Sequence, residues 1–111
     1  MTRAEFVQKG LETSISISGH AEYKDSGDDI VCAACSALSC TLLQCVLDAQ
    51  SAGDAEIIYC NVTSGDVRLC FKAQPQTMEK TAAMLFTIRT GFELLADEYP
   101  EHVAVEVWRG E

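Results

Sequence analysis

The chain has 111 residues, 48% of them hydrophobic, and a formal net charge of −9. That is the size of one compact domain, with enough apolar material for a core that rests on neither disulfides nor metal. So acidic a chain is a poor binder of nucleic acid, because phosphate contacts need Lys and Arg; it suits a basic partner, although acidity also simply aids solubility.

No stretch approaches the ~20 uninterrupted apolar residues of a membrane helix. The N-terminal MTRAEFVQKGLE is mixed and charged, without the apolar segment of a signal peptide. A cytoplasmic location is expected, where the six cysteines stay reduced. There is no repeat, low-complexity tract or linker, so residues 1–111 read as a single domain.

In chain order, residues 4–8 form a short strand, and Lys9, Gly10 and Leu11 a turn. Residues 13–19, TSISISG, alternate strictly. Ile15 and Ile17 point one way and Ser14, Ser16 and Ser18 the other, the period of a half-buried strand. His20 falls at its exit. Residues 22–28 are a polar loop, with Gly27 free to take an unusual backbone angle and act as a hinge. A long helix follows, its apolar stripe being Val31, Ala34, Cys35, Leu38, Leu42, Cys45, Val46 and Ala49. Asp28 or Asp29 can cap it, and Gly53 ends it. Residues 55–62 and 67–73 are strands around Ser64-Gly65-Asp66, a hairpin signal. Pro75 opens a second helix buried through Thr81, Met84, Leu85, Ile88, Phe92, Leu95 and Tyr99, and Pro100 stops it. Residues 102–109 are a last strand with Val103, Val105 and Val107 on one face. The order ββαββαβ predicts an α+β fold: a mainly antiparallel sheet packed by two long helices.

The chemistry concentrates in SGHAEYKDSGDDIVCAACSALSC, residues 18–40. Cys32 lies in the first turn of the first helix, where unpaired N–H groups and the helix dipole favour an anion. Such a position favours thiolate over thiol. A strand-loop-helix return brings His20 toward it, and cysteine with histidine is the minimal pair for nucleophilic attack on a carbonyl. Backbone N–H groups from Cys32 through Ala33 to Ala34 are candidates to stabilise the oxyanion. Ser36, one turn after Cys32, can hydrogen-bond in the site. Asp29 either orients His20 or caps the helix.

Other readings use the same residues. Cys32-Ala-Ala-Cys35 is a C-x-x-C at a helix start, the placement of a dithiol redox site, but the βαβ context is missing. A metal site from Cys32, Cys35, Cys40 and Cys45 would need the helix to unwind, because Cys40 lies well around it from Cys32. Cys35 and Cys45 on the apolar stripe read as inert core. Cys60 and Cys70, equidistant from Gly65, are expected to face each other across the second hairpin. His102 reads as a solvated surface residue, whereas His20, beside Gly19, has no packing task.

Gly19-His20-Ala21, Tyr23, Gly27, Asp29 and Ile30-Val31-Cys32-Ala33-Ala34 with Ser36 resemble the signature of the ribosomal-processing cysteine protease family, Prp. The signature is local; beyond it the likeness is one of length and element order over the whole chain. The resemblance implies a small bacterial endopeptidase, typical of Firmicutes and relatives, that removes the N-terminal extension of a large-subunit ribosomal protein, number twenty-seven. That extension ends in hydrophobic and aromatic residues. The resemblance also implies a homodimer without cofactor or metal, with Cys32 as nucleophile and His20 as its partner. Gly19, Asp29 and Ser36 take the family's supporting positions. Cys35 departs from the small residue common there and opens the way to a regulatory disulfide with Cys32. The competing classes are a thiol-disulfide oxidoreductase using Cys32 and Cys35, and a non-catalytic dimer that binds the ribosomal protein.

Overall fold

Apolar residues at every second position make half-buried strands, and apolar residues three and four apart make one-sided helices. The structure, a computed structural model describing residues 1–25 and 29–110, arranges these as β1 (Thr2–Lys9), β2 (Glu12–Ser18), α1 (Ile30–Ser51), β3 (Ala55–Thr63), β4 (Asp66–Ala73), α2 (Met78–Glu98) and β5 (Val103–Gly110). The strands form one sheet in the order β3-β4-β2-β1-β5. Every neighbouring pair is antiparallel except β1 with β5. That pair is parallel because α2 carries the chain back over the sheet before β5 begins. The expected α+β fold is therefore the observed one.

Register aligns the apolar face. Phe6 lies opposite Ile15 and Ile15 opposite Leu69, and with Ala4, Ile17, Val67 and Phe71 they are buried. The serines of β2 take the other face. Both helices cover the apolar face. α1 buries Val31, Cys35, Ser39, Leu42 and Val46, and α2 buries Thr81, Leu85, Ile88 and Phe92. Ser39 was outside the expected stripe. Its hydroxyl donates to the Cys35 carbonyl at 2.8 Å, so burying it leaves no unpaired donor. The Phe6 and Phe92 rings meet edge to face at 6.3 Å, joining sheet to helix. The helices approach each other at Gly91, where a Cβ would stand 2.6 Å from the Leu38 side chain.

By length and a mean hydropathy of 2.1, α1 could cross a membrane. Its buried stripe instead packs on the sheet, where those side chains join the core.

Two expectations need correction. Pro75 opens a single 3-10 turn, Pro75–Thr77, and the α-helix proper starts at Met78. The second hairpin turns on two residues, Ser64 and Gly65, with Thr63 opposite Asp66. Its centre therefore falls before Gly65, so Cys60 lies opposite Leu69 and Cys70 opposite Tyr59. Cys60 is exposed and Cys70 buried, the Cys70 thiol donating to Glu12 at 3.3 Å and accepting from Ser14 at 3.4 Å. Asp29 caps α1; Asp28, the alternative, lies outside the described residues, as does the expected Gly27 hinge.

Asp29 has extended backbone, φ −85° and ψ 98°, as an N-cap requires. Its Oδ1 accepts the Cys32 N–H at 2.8 Å, and its Oδ2 accepts the Tyr23 N–H at 2.9 Å and the Lys24 N–H at 3.4 Å. Partial burial raises its pKa, but the N–H groups of Cys32, Tyr23, Lys24 and Val31 favour the carboxylate and leave the net value lowered.

Two measurements follow from this packing. Phe92→Ala, at a fully buried ring, should cost about 3–5 kcal/mol in denaturant unfolding. Asp29→Ala should lower the melting temperature at neutral pH. A depressed carboxylate contributes stability that is present above its unfolded value of about 3.9 and lost as pH falls through the lower folded value. The melting difference between wild type and Asp29→Ala should therefore hold steady above about pH 5 and shrink in acid.

Candidate active site

The site forms where β2 leaves the sheet. Gly19 takes φ 86°, and a Cβ there would run into the Met1 carbonyl, so the position demands glycine. Its N–H donates to the Gly65 carbonyl at 2.8 Å, and its own carbonyl accepts the Thr2 hydroxyl at 3.3 Å. These bonds set the next residue, His20, against the β3–β4 turn. The ring lies so close that a Cβ on Gly65 would stand 2.7 Å from His20 Nε2.

α1 supplies the other wall. Cys32 is its third residue and half-buried. His20, Cys32, Ala33, Ser36 and Asp29 line one cleft of about 460 Å³, together with Glu22 and Lys24 from the loop. A second cleft of about 370 Å³ runs between α1 and the second hairpin. It shares His20, Cys32 and Ser36 and has Leu43, Val62 and Val67 in its apolar wall. His20 and Cys32, twelve residues apart in sequence, thus open onto the same space. No hydrogen bond joins them among the described residues, a separation that cysteine-histidine sites tolerate before substrate binds.

The expected oxyanion donors are otherwise engaged. The Cys32 N–H is held by Asp29 Oδ1, and the Ala33 N–H donates to the Asp29 carbonyl at 3.0 Å. Ala34 lies deeper in α1, where the helical ladder takes its N–H. The helix begins earlier than that role requires, so the first turn offers its dipole but not these three donors. Asp29 has both oxygens on backbone N–H groups and shapes the site by capping the helix and pinning the loop, not through a bond to His20.

The dithiol reading fares poorly. Cys35 is 5% exposed. Burial pushes its thiol pKa up, the Thr2 hydroxyl works the other way, and the charges of Cys32 and Asp29 push it further up. A resolving thiol needs to be reachable and readily ionised, and Cys35 is neither.

Some neighbours were not foreseen. Gly65 gave no signal beyond its hairpin, because a two-residue turn already calls for a glycine with positive φ. His102 was expected in solvent, yet its Nδ1 lies 2.9 Å from the Ala21 carbonyl and its ring meets Tyr23 edge-on at 5.4 Å.

Comparison with known proteins places this geometry. The family model described as cysteine protease Prp matches residues 1–104. Among solved structures, the S. aureus ribosomal processing protease Prp, linked covalently to a product peptide, aligns with a TM-score of 0.73 at 17% identity, over 99% of this chain and 100% of that one. The same protease with a substrate peptide aligns at 0.66 and 16% identity, over 99% and 100% of the two chains. A Streptococcus mutans protein aligns at 0.70 and 24% identity, over 99% and 96%. No curated protein matches the sequence. With nearly the whole chain under one family model and a cysteine and histidine opening onto one cleft, the chain belongs to the cysteine protease Prp family and is a cysteine protease.

Proposed function

We propose that this protease removes the N-terminal extension of a large-subunit ribosomal protein, number twenty-seven, through a Cys32–His20 dyad. The observation that carries the reading is the shared cleft of His20 and Cys32 at the start of α1. His20 takes the Cys32 proton, and the thiolate attacks the scissile carbonyl. His20 returns that proton to the leaving amine as the C–N bond breaks. Water, activated by His20, then hydrolyses the thioester and frees Cys32.

With the Cys32 and Ala33 N–H groups held by Asp29, stabilising the oxyanion falls to the field at the start of α1 and to the Ser36 hydroxyl in the same cleft. The apolar wall of Leu43, Val62 and Val67 suits a substrate with hydrophobic and aromatic residues near the cut. The net charge of −9 suits a basic ribosomal protein. The protein works in the cytoplasm, without cofactor, as a homodimer. Edge strand β3 leaves Ile58, Tyr59 and Val62 exposed, a surface suited to a second copy.

The test is mass spectrometry of a peptide spanning the extension and the mature start of that ribosomal protein. Wild type and Cys35→Ala should cut it once, and Cys32→Ala should not cut it. His20→Ala should lose about 10²–10⁴-fold in kcat. Cutting by Cys32→Ala would refute the mechanism, and intact peptide with wild type would refute the substrate. Gly65→Ala, whose methyl would occupy the space of the His20 ring, should lower kcat by about ten- to a hundredfold while the protein stays folded.

A further inference from the structure

Among the described residues His20 is held by its backbone, not by a hydrogen bond to its ring, and the backbone is held on both sides. On one side the Gly19 N–H donates to Gly65. On the other, the carbonyl of Ala21, a residue with no solvent exposure, faces His102 Nδ1 at 2.9 Å. A carbonyl only accepts, so Nδ1 carries the proton in this contact. His102 belongs to the turn between α2 and β5, and its own N–H and carbonyl are both fixed. The N–H donates to Tyr99 at 2.9 Å, and the carbonyl accepts from Thr2 at 2.8 Å.

Immediately after Ala21 the chain is strained. Glu22 has φ 57°, the one non-glycine residue with positive φ among the described residues. Such a conformation persists only where its surroundings fix it. Here the anchors are the Ala21 carbonyl on His102 before it and the Tyr23 N–H on Asp29 after it. The Tyr23 ring adds edge contacts with Tyr99 at 5.3 Å and His102 at 5.4 Å. Asp29, Tyr99 and His102 therefore converge on the three residues that follow His20.

We infer that His102 is a positioning residue for the reaction: its Nδ1–H bond to the Ala21 carbonyl fixes the backbone that presents His20 to Cys32. The inference rests on the dyad proposed above. It assigns the second histidine of the chain a role outside proton transfer, exerted through the backbone and not on the substrate. A displaced general base costs rate more than binding, since small misplacements at the reacting atoms slow the chemical step.

Full-length wild type, His102→Asn and His102→Phe would be compared on the extension peptide, with melting temperatures recorded. Asn can place its amide N–H where Nδ1 lies, whereas Phe keeps the ring contact with Tyr23 and loses the donor. His102→Phe should lose about ten- to a hundredfold in kcat with little change in KM, and His102→Asn should recover most of it. In parallel, the His20 ring signals in ¹H–¹⁵N spectra should shift in His102→Phe and return toward wild type in His102→Asn. Equal kcat for all three proteins would overturn the inference while leaving the dyad intact. If wild type cuts no peptide, the proposed substrate fails, and the spectra alone decide the positioning: unmoved His20 signals in His102→Phe overturn it.

Discussion

One face of a five-stranded sheet must be kept from water, and the other features of this molecule depend on how that is done. Two helices are long enough to cover it, and both lie on the same side. Covering β3, β4 and β2 with α1 brings the start of that helix beside the end of β2. The first turn of α1 and the exit of β2 are the two places that carry Cys32 and His20. The site is thus a by-product of core packing: the burial of Val31 and Cys35 against the sheet settles where the neighbouring Cys32 can be.

What packing leaves open, backbone hydrogen bonds close. The loop between His20 and α1 has few apolar residues to bury, so its described part is ordered through polar groups. Asp29 serves two purposes with two oxygens, holding the helix start with one and Tyr23 and Lys24 with the other. The carboxylate in that position raises the order of the site and holds the Cys32 N–H, while the Asp29 carbonyl takes the Ala33 N–H. The arrangement fixes the loop and occupies the Cys32 and Ala33 N–H groups. The turn of the second hairpin adds a further restraint, since Gly65 offers its bare backbone to the His20 ring.

The cysteines show why residue type alone does not assign chemistry. All six are free, yet their surroundings differ. Cys32 opens onto the clefts, Cys35 is sealed beneath Thr2, and Cys70 is buried against Glu12 and Ser14. Cys32 and Cys35 are three residues apart on one helix, and that offset of about 60° in helical phase separates an accessible thiol from a core filler. Spacing suggested a dithiol, and burial argues against it.

The sequence by itself determined the elements and their order, because alternation in TSISISG and the three-and-four spacing of α1 and α2 are local properties of the backbone. It also singled out His20 and Cys32, through a short signature whose residues lie close together along the chain. Tertiary structure alone decided matters that depend on distant segments meeting. The offset of Cys60 from Cys70 follows from where the second hairpin turns, a one-residue difference that no periodicity records. The parallel pairing of β1 with β5 follows from the path of α2 over the sheet. The contacts of Gly65 with His20 and of His102 with Ala21 join residues 45 and 81 positions apart. Hydrogen bonds and ring contacts over such separations leave no periodic trace, so they became visible only once the chain was folded.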